Sequence, residues 1–155
     1  MPTKYQGSPE VRRALDTYIK LTRAAESVLD RTNAHLAAHN LTTTQFGVLE
    51  ALYHLGTLSQ VELARKLLKS TGNVTTVLQN LEKRALISRA RDQDDQRYVQ
   101  VSITTEGQRL LESILPAHFD GIVADFSILT AEEQETLACL CRKLGLRQSQ
   151  TTESE

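Results

Sequence analysis

Between Ser70 and Arg84 the sequence STGNVTTVLQNLEKR sets two kinds of side chain at helical spacing. Val74, Val77, Leu78 and Leu81 recur at i, i+3, i+4 and i+7, the stripe that a helix turns toward a core. The opposite face is then fixed. It carries Asn73, Thr75, Thr76, Gln79, Asn80 and Lys83, with Ser70 and Thr71 at the start of the helix. A face that meets only water is usually rich in Glu, Lys and Arg, which favour helices more than Thr and Asn do. Poor helix formers that donate and accept hydrogen bonds suit a partner with polar edges, such as nucleic-acid bases, and the N–H groups at a helix start favour a phosphate.

The following segment changes period. Ile87–Arg91 and residues 98–104 alternate apolar and polar side chains around the polar run DQDDQR at 92–97, the pattern of a β-hairpin. Arg89, Arg91 and Arg97 can carry positive charge outward from it.

Other elements must position these residues. Ser8-Pro9-Glu10 starts a helix well, by cap, first-turn proline and dipole. Apolar spacing from Val11 to Leu36 predicts one helix to about Ala38, roughly 45 Å long, which is more than a small domain needs and implies packing on a second subunit. Thr42 can cap a mostly buried helix carrying Phe46, Val48, Leu49, Leu52 and Tyr53, ended by Gly56. Ser59 with Glu62 forms a capping box for a short helix, and Leu68-Lys69-Ser70 joins it tightly to the next. After the hairpin, Thr104 or Thr105 caps a second long helix with a kink expected at Pro116. A last helix runs from a Thr130 cap with Glu133 to about Leu144, stopped by Gly145. Three helices followed by a hairpin make a winged helix-turn-helix. The fold class is therefore mainly α with a small β-hairpin wing, flanked by long N- and C-terminal dimerisation helices. The expected divisions are 1–40 for the N-terminal dimerisation helix, 41–104 for the DNA-binding unit, 105–146 for the C-terminal dimerisation helices and 147–155 for a disordered tail.

Net charge is only −1, but its distribution is uneven. Residues 59–97 hold eight basic and five acidic side chains, whereas 98–155 hold four and nine, so the basic surface lies mid-chain. Cys139 and Cys141 project roughly 200° apart on a helix, cannot easily pair, and read as buried or half-buried thiols. No run of about 18 apolar residues and no secretory pattern occurs, so no membrane partner and a cytoplasmic location are expected. None of the common nucleotide-binding, hydrolase or metalloprotease motifs is present, which argues against an enzyme and for no catalytic residue, cofactor or metal.

The stretch 95–107, DQRYVQVSITTEG, resembles the wing signature D-x-R-x-x-x-V-x-[LI]-T-x-x-G of the MarR family, and Leu81–Ile87, LEKRALI, resembles that family's L-E-K-R-G-L-[IV]. The resemblance implies a homodimeric transcriptional regulator, usually a repressor, bound to double-stranded DNA at a pseudo-palindromic operator. It implies that Asp95 holds Arg97 at the wing tip and that Arg97 enters the minor groove. A carboxylate two residues away can fix the guanidinium by a charge-assisted bond, and narrow minor grooves attract arginine. The DNA-contacting set is then Ser70, Thr71, Asn73, Thr75, Thr76, Gln79, Lys83, Arg89, Arg91, Asp95 and Arg97. Two positions depart from the family pattern. Thr76 stands where members often have a basic residue, and Ala85 stands for the usual glycine, at a Cβ penalty if the backbone there is left-handed.

Family members commonly bind small aromatic ligands between the dimerisation helices and the DNA-binding lobe, and residues 44–56 look like those of members that respond to quinones or hydroquinones. A phenolic or quinone-like effector that releases DNA follows, with His35, His39, Phe46, Tyr53 and His118 as candidate pocket residues, although aromatic side chains at such spacing are more often core. His35 and His39, at i and i+4, would share one helix face and could hold zinc with further ligands. A thiol-based redox-responsive regulator and a winged-helix protein-interaction module are the alternatives.

Overall fold

The helix starts follow from local side-chain chemistry, as a computed structural model describing residues 5–91 and 98–146 makes visible; the expected hairpin tip and C-terminal tail lie outside the described residues. Ser8 accepts from the Val11 N–H and Pro9 opens α1 (Pro9–Asn33). Thr42 with Gln45 boxes the start of α2 (Thr43–Leu55), and Ser59 with Glu62 does the same for α3 (Gln60–Lys66). Ser70 caps α4 (Thr71–Lys83) and Thr104 caps α5 (Thr105–Phe126), while Thr130 with Glu133 boxes α6 (Ala131–Gly145). Each cap satisfies an orphan backbone N–H and is worth about 1 kcal/mol.

Three details differ from the sequence expectation. The first long helix stops at Asn33 and continues as a 3₁₀ segment, Ala34–His39, which ends at Asn40 in the left-handed region (φ 53°). At three residues per turn, His35 and His39 lie about 120° apart around the axis and share no face. Gly145 is the last residue of α6 rather than a left-handed stop, and Leu146 caps it. Both cysteines are exposed in this chain, not buried.

The hairpin consists of β2 (Ile87–Arg91) and β3 (Val99–Ile103), antiparallel with Ile87 opposite Ile103 and Arg91 opposite Val99. A two-residue strand, β1 (Leu58–Ser59), pairs with the other edge of β3 and completes a three-stranded sheet in the order β1-β3-β2. The core joins α2, α3, α4, the sheet and α5. Leu49, Leu63, Val74, Leu78, Leu81, Val101 and Leu111 are each 0% exposed, and each such side chain contributes about 1.5–3 kcal/mol on burial.

Gly107 shows how tightly α5 seats on the sheet. A Cβ there would collide with the Leu86 carbonyl oxygen and come within 2.8 Å of Ile103 Cγ1. Chain direction turns by 101° between α5 and α6, and α6 buries none of its residues in this chain. Among the described residues no single helix is long and apolar enough to cross a membrane.

Candidate DNA-binding face and ligand cavity

Burial of Val74, Leu78 and Leu81 turns the remaining face of α4 outward. Asn73, Thr76, Gln79, Asn80 and Lys83 are all exposed, and at 100° per residue they fall within an arc of about 120°. Ser70 and Thr71 are exposed at the start of the helix, where the Ser70 hydroxyl is engaged by the Asn73 N–H at 3.4 Å.

Two of the expected contact residues are engaged elsewhere. Thr75 is half-buried on the flank of α4; its Oγ1 donates to the Thr71 carbonyl at 3.0 Å and accepts from Gln60 Nε2 at 2.6 Å, which ties α4 to α3. Arg89 points back from β2 to Glu82, with Nε at 2.9 Å and Nη2 at 2.5 Å from the same carboxylate oxygen. The Arg89 guanidinium holds the Glu82 carboxyl below its usual range. Arg89 therefore braces the base of the hairpin against α4. Arg91, two residues further out, is exposed. Asp95 and Arg97 lie outside the described residues. Exposed Arg65, Lys66 and Lys69, just ahead of α4, add positive charge that the sequence pattern did not single out, because they sit at a helix end and a turn rather than on an amphipathic face.

A separate cavity of about 460 Å³ opens between α1, α2 and α5, within the range of small-molecule sites. Val28, Leu29, Thr32 and Asn33 line it from α1, Thr43, Thr44, Phe46, Gly47 and Glu50 from α2, and His118, Ile122 and Phe126 from α5. Leu67 and Lys69, from the turn that leads into α4, complete the wall. Of the five expected ligand residues, Phe46 and His118 line this cavity. His35 lies behind His118, ring centroids 5.3 Å apart. The other two are turned elsewhere. Tyr53 donates to Glu112 Oε1 at 3.1 Å and meets His54 edge-on, and the His39 backbone carbonyl accepts from Arg84. Thr32 and Glu50 were missed because nothing local distinguishes them from other helix residues. Among the described residues no group of three or more His, Cys, Asp and Glu side chains is arranged to hold a metal ion.

Thr32 ties the two long helices together. Its hydroxyl donates to Asp125 Oδ2 at 3.1 Å, and Arg31 Nε meets Asp125 Oδ1 at 2.7 Å. The Arg31 contact holds the Asp125 carboxyl below the ordinary range. Burial, and then the neighbouring His35, push the His118 pKa down; Glu50 and a hydrogen bond to the Thr32 carbonyl oppose the shift.

This arrangement has counterparts of known role. The family model described as MarR family matches residues 41–99. The chain is 35% identical over 138 residues to the HTH-type transcriptional regulator MhqR of Bacillus subtilis, covering 89% of this chain and 95% of that protein. The chain belongs to the MarR family. Its members are transcriptional regulators rather than enzymes, and the winged helix described above is their DNA-binding fold. Among solved structures, BpsR of Bordetella bronchiseptica, whose DNA binding is regulated by 6-hydroxynicotinic acid, superposes with a TM-score of 0.76 at 27% identity, over 83% of this chain and 98% of that one. A mutant of E. coli MarR complexed with operator DNA gives a TM-score of 0.77 at 25% identity, over 88% and 99%.

Proposed function

We propose that this regulator is a cytoplasmic, homodimeric repressor that binds a pseudo-palindromic operator through two copies of α4 and is released by a small phenolic or quinone-like ligand held between α1, α2 and α5. The observation that carries the DNA reading is the exposed arc of Asn73, Thr76, Gln79, Asn80 and Lys83, which offers donors and acceptors with one charge, Lys83, where an ordinary solvated face carries several. Ser70 and Thr71 at its start suit phosphate contact, and Arg91 and Arg97 supply the cations of the wing.

The dimer is supported by apolar side chains that this chain leaves uncovered on its flanking helices and on the turn between α5 and α6: Tyr18 at 64% exposed, Val123 at 69%, Ile128 at 85% and Leu140 at 58%. A second copy would cover them, with residues 1–40 and 105–146 as dimerisation arms around the DNA-binding unit at 41–104. Two recognition helices about 34 Å apart then meet successive major grooves on one side of the duplex.

Support for the effector site comes from the cavity's walls. Leu67 and Lys69 belong to the turn that leads into α4, so one ligand bears on both the dimerisation helices and the DNA-binding lobe. Release requires the ligand to bind the DNA-free arrangement more tightly than the bound one, by the same factor that it lowers operator affinity. The regulation of BpsR by 6-hydroxynicotinic acid supports an aromatic ligand.

The test is binding to labelled DNA from upstream of the chain's own gene, against scrambled competitor across a salt series. Tight, salt-sensitive, competitor-resistant binding is expected. Arg97→Ala should weaken it and reduce the salt slope by about 1. Binding no better than to scrambled DNA counts against the proposal. A thiol-responsive regulator is the second reading, favoured by the exposure of both Cys139 and Cys141 on α6. Oxidation that leaves operator affinity unchanged removes it.

A further inference from the structure

Two helix ends are joined at the foot of the recognition helix. The 3₁₀ segment closes at Asn40 with φ 53°, and the Leu41 N–H returns to the Leu36 carbonyl at 3.1 Å. Helix α4 closes in the same way, with Ala85 left-handed and the Leu86 N–H on the Leu81 carbonyl at 3.0 Å. Leu36, Leu41, Leu81 and Leu86 are all buried, so both ends are anchored in the core. The carbonyls of a last helical turn lack partners within their own helix. Arg84 satisfies two of them: its Nη1 donates to the Asn40 carbonyl at 2.6 Å and its Nη2 to the His39 carbonyl at 3.2 Å. A guanidinium is a planar fork, so bonds from its two ends to adjacent carbonyls fix an orientation as well as a distance. The apolar packing of α2 on α5 also holds the DNA-binding unit to the flanking helices, but that attraction has no direction.

We propose that Arg84 is a positioning residue that sets the angle of α4 to the N-terminal arm, and through it the spacing of operator half-sites that the dimer accepts. The inference rests on the dimer and the operator reading proposed above. Successive base pairs lie about 3.4 Å apart and are turned by about 34°. An operator one base pair too long therefore asks each subunit for about 1.7 Å and about 17°. Helix α4 has 13 residues and is about 20 Å long. A turn of about 17° about its N-terminal end would carry Arg84 about 6 Å, more than a hydrogen bond can stretch. Wrong spacing thus costs the link to His39 and Asn40, whereas correct spacing keeps it. Arg84 achieves this without touching DNA, because its donors are spent on the arm.

The test is selection from a random-sequence duplex library, run in parallel on the full wild-type chain and on Arg84→Met. Methionine keeps an unbranched stem and a good helix former but removes the donors, and Arg84 is exposed, so the change opens no cavity. The wild type should enrich two inverted half-sites at one spacing. Arg84→Met should enrich the same half-site, since Asn73, Thr76 and Gln79 are untouched, but at spacings one base pair shorter and longer as well. Measured on the selected operator, the affinity penalty for a one-base-pair insertion should fall by about tenfold, the worth of a charge-assisted hydrogen bond. Should Arg84→Met not fold, Arg84→Lys takes its place, because a single ammonium keeps the charge without the fork. A folded variant that enriches only the wild-type spacing overturns the proposal. So does an equal loss of affinity at every spacing, which would make Arg84 a source of stability alone. Both results leave the DNA reading standing. A wild-type chain that enriches no sequence overturns both.

Discussion

Ala85 lies between α4 and β2 with φ 55°, in the left-handed region. For a residue with a Cβ that conformation costs roughly 1–2 kcal/mol. The alanine is exposed, and the turn depends on its backbone alone: the N–H donates to the Glu82 carbonyl at 2.9 Å and the carbonyl accepts from Thr104 Oγ1 at 2.7 Å. Ala85→Gly keeps both bonds and relieves the Cβ. Against this, glycine has more freedom to lose on folding, about 0.5–1 kcal/mol. The balance is a stabilisation of about 0.5–1 kcal/mol, which for a chain of this length raises the melting temperature by about 1–4 °C. Scanning calorimetry at one fixed protein concentration measures it, since an oligomer's melting point depends on concentration. Leu68 supplies an internal control, at φ 52° and 92% exposed. Leu68→Gly should stabilise too, whereas Asn40→Gly at φ 53° should be nearly neutral, because asparagine tolerates the conformation. An Ala85→Gly chain that melts at or below the wild type refutes the reasoning.

Gly107→Ala should destabilise by about 1–3 kcal/mol, because its methyl meets the Leu86 backbone rather than a movable side chain; an unchanged melting point contradicts that packing. Arg89→Ala should weaken operator binding with little change in salt slope, since Arg89 acts through Glu82, whereas Arg91→Ala should reduce the slope by about 1; equal slope changes would make Arg89 a phosphate contact. The pH dependence follows from His118, whose folded pKa lies below its ordinary 6.5. Above 6.5 the ring is neutral in both states. As the pH falls, the unfolded chain takes up a proton that the folded one refuses, so stability is lost from 6.5 down through the folded value. Asp125 and Glu82, both held low by arginines, add losses as the pH falls below the ordinary carboxylate range. Melting temperature should therefore drop between about pH 7 and 5, and His118→Phe should flatten that drop. A wild-type melting point that stays level counts against the buried neutral ring.

Features decided within a few residues were legible in the sequence. The caps at Ser8, Thr42, Ser59, Ser70 and Thr130 are local hydrogen bonds, and the core stripe of α4 is a periodicity. What escaped depends on neighbours distant in sequence. Strand β1 has two residues, too few to alternate, and exists because β3 pairs with it. The 3₁₀ segment escaped because Leu36 alone is buried there, which fits a period of 3.0 as well as 3.6. Thr75 and Arg89 were grouped with the outward face because spacing gives an angle but not a partner; Gln60 and Glu82 became visible only once α3 and β2 were in position. The cysteines read as buried or half-buried because free cysteine behaves as a small hydrophobe, and in this chain α6 buries none of its residues.

These tertiary contacts bear on how a cavity wall could govern α4. Arg84, the C-cap of α4, donates from Nη1 to the Asn40 carbonyl at 2.6 Å and from Nη2 to the His39 carbonyl at 3.2 Å. The same end of α4 holds Glu82, and through it Arg89 and the hairpin. Arg84 thus links the 3₁₀ segment, which follows the cavity-lining Thr32 and Asn33, to α4, and Glu82 links α4 to the hairpin. At the other end of α4, Lys69 lines the cavity and Ser70 caps the helix. The recognition helix is gripped at both ends by elements contiguous with the cavity walls. On the effector reading proposed above, a ligand would need only to change the spacing between α1 and α2 to tilt α4, without contact between ligand and DNA.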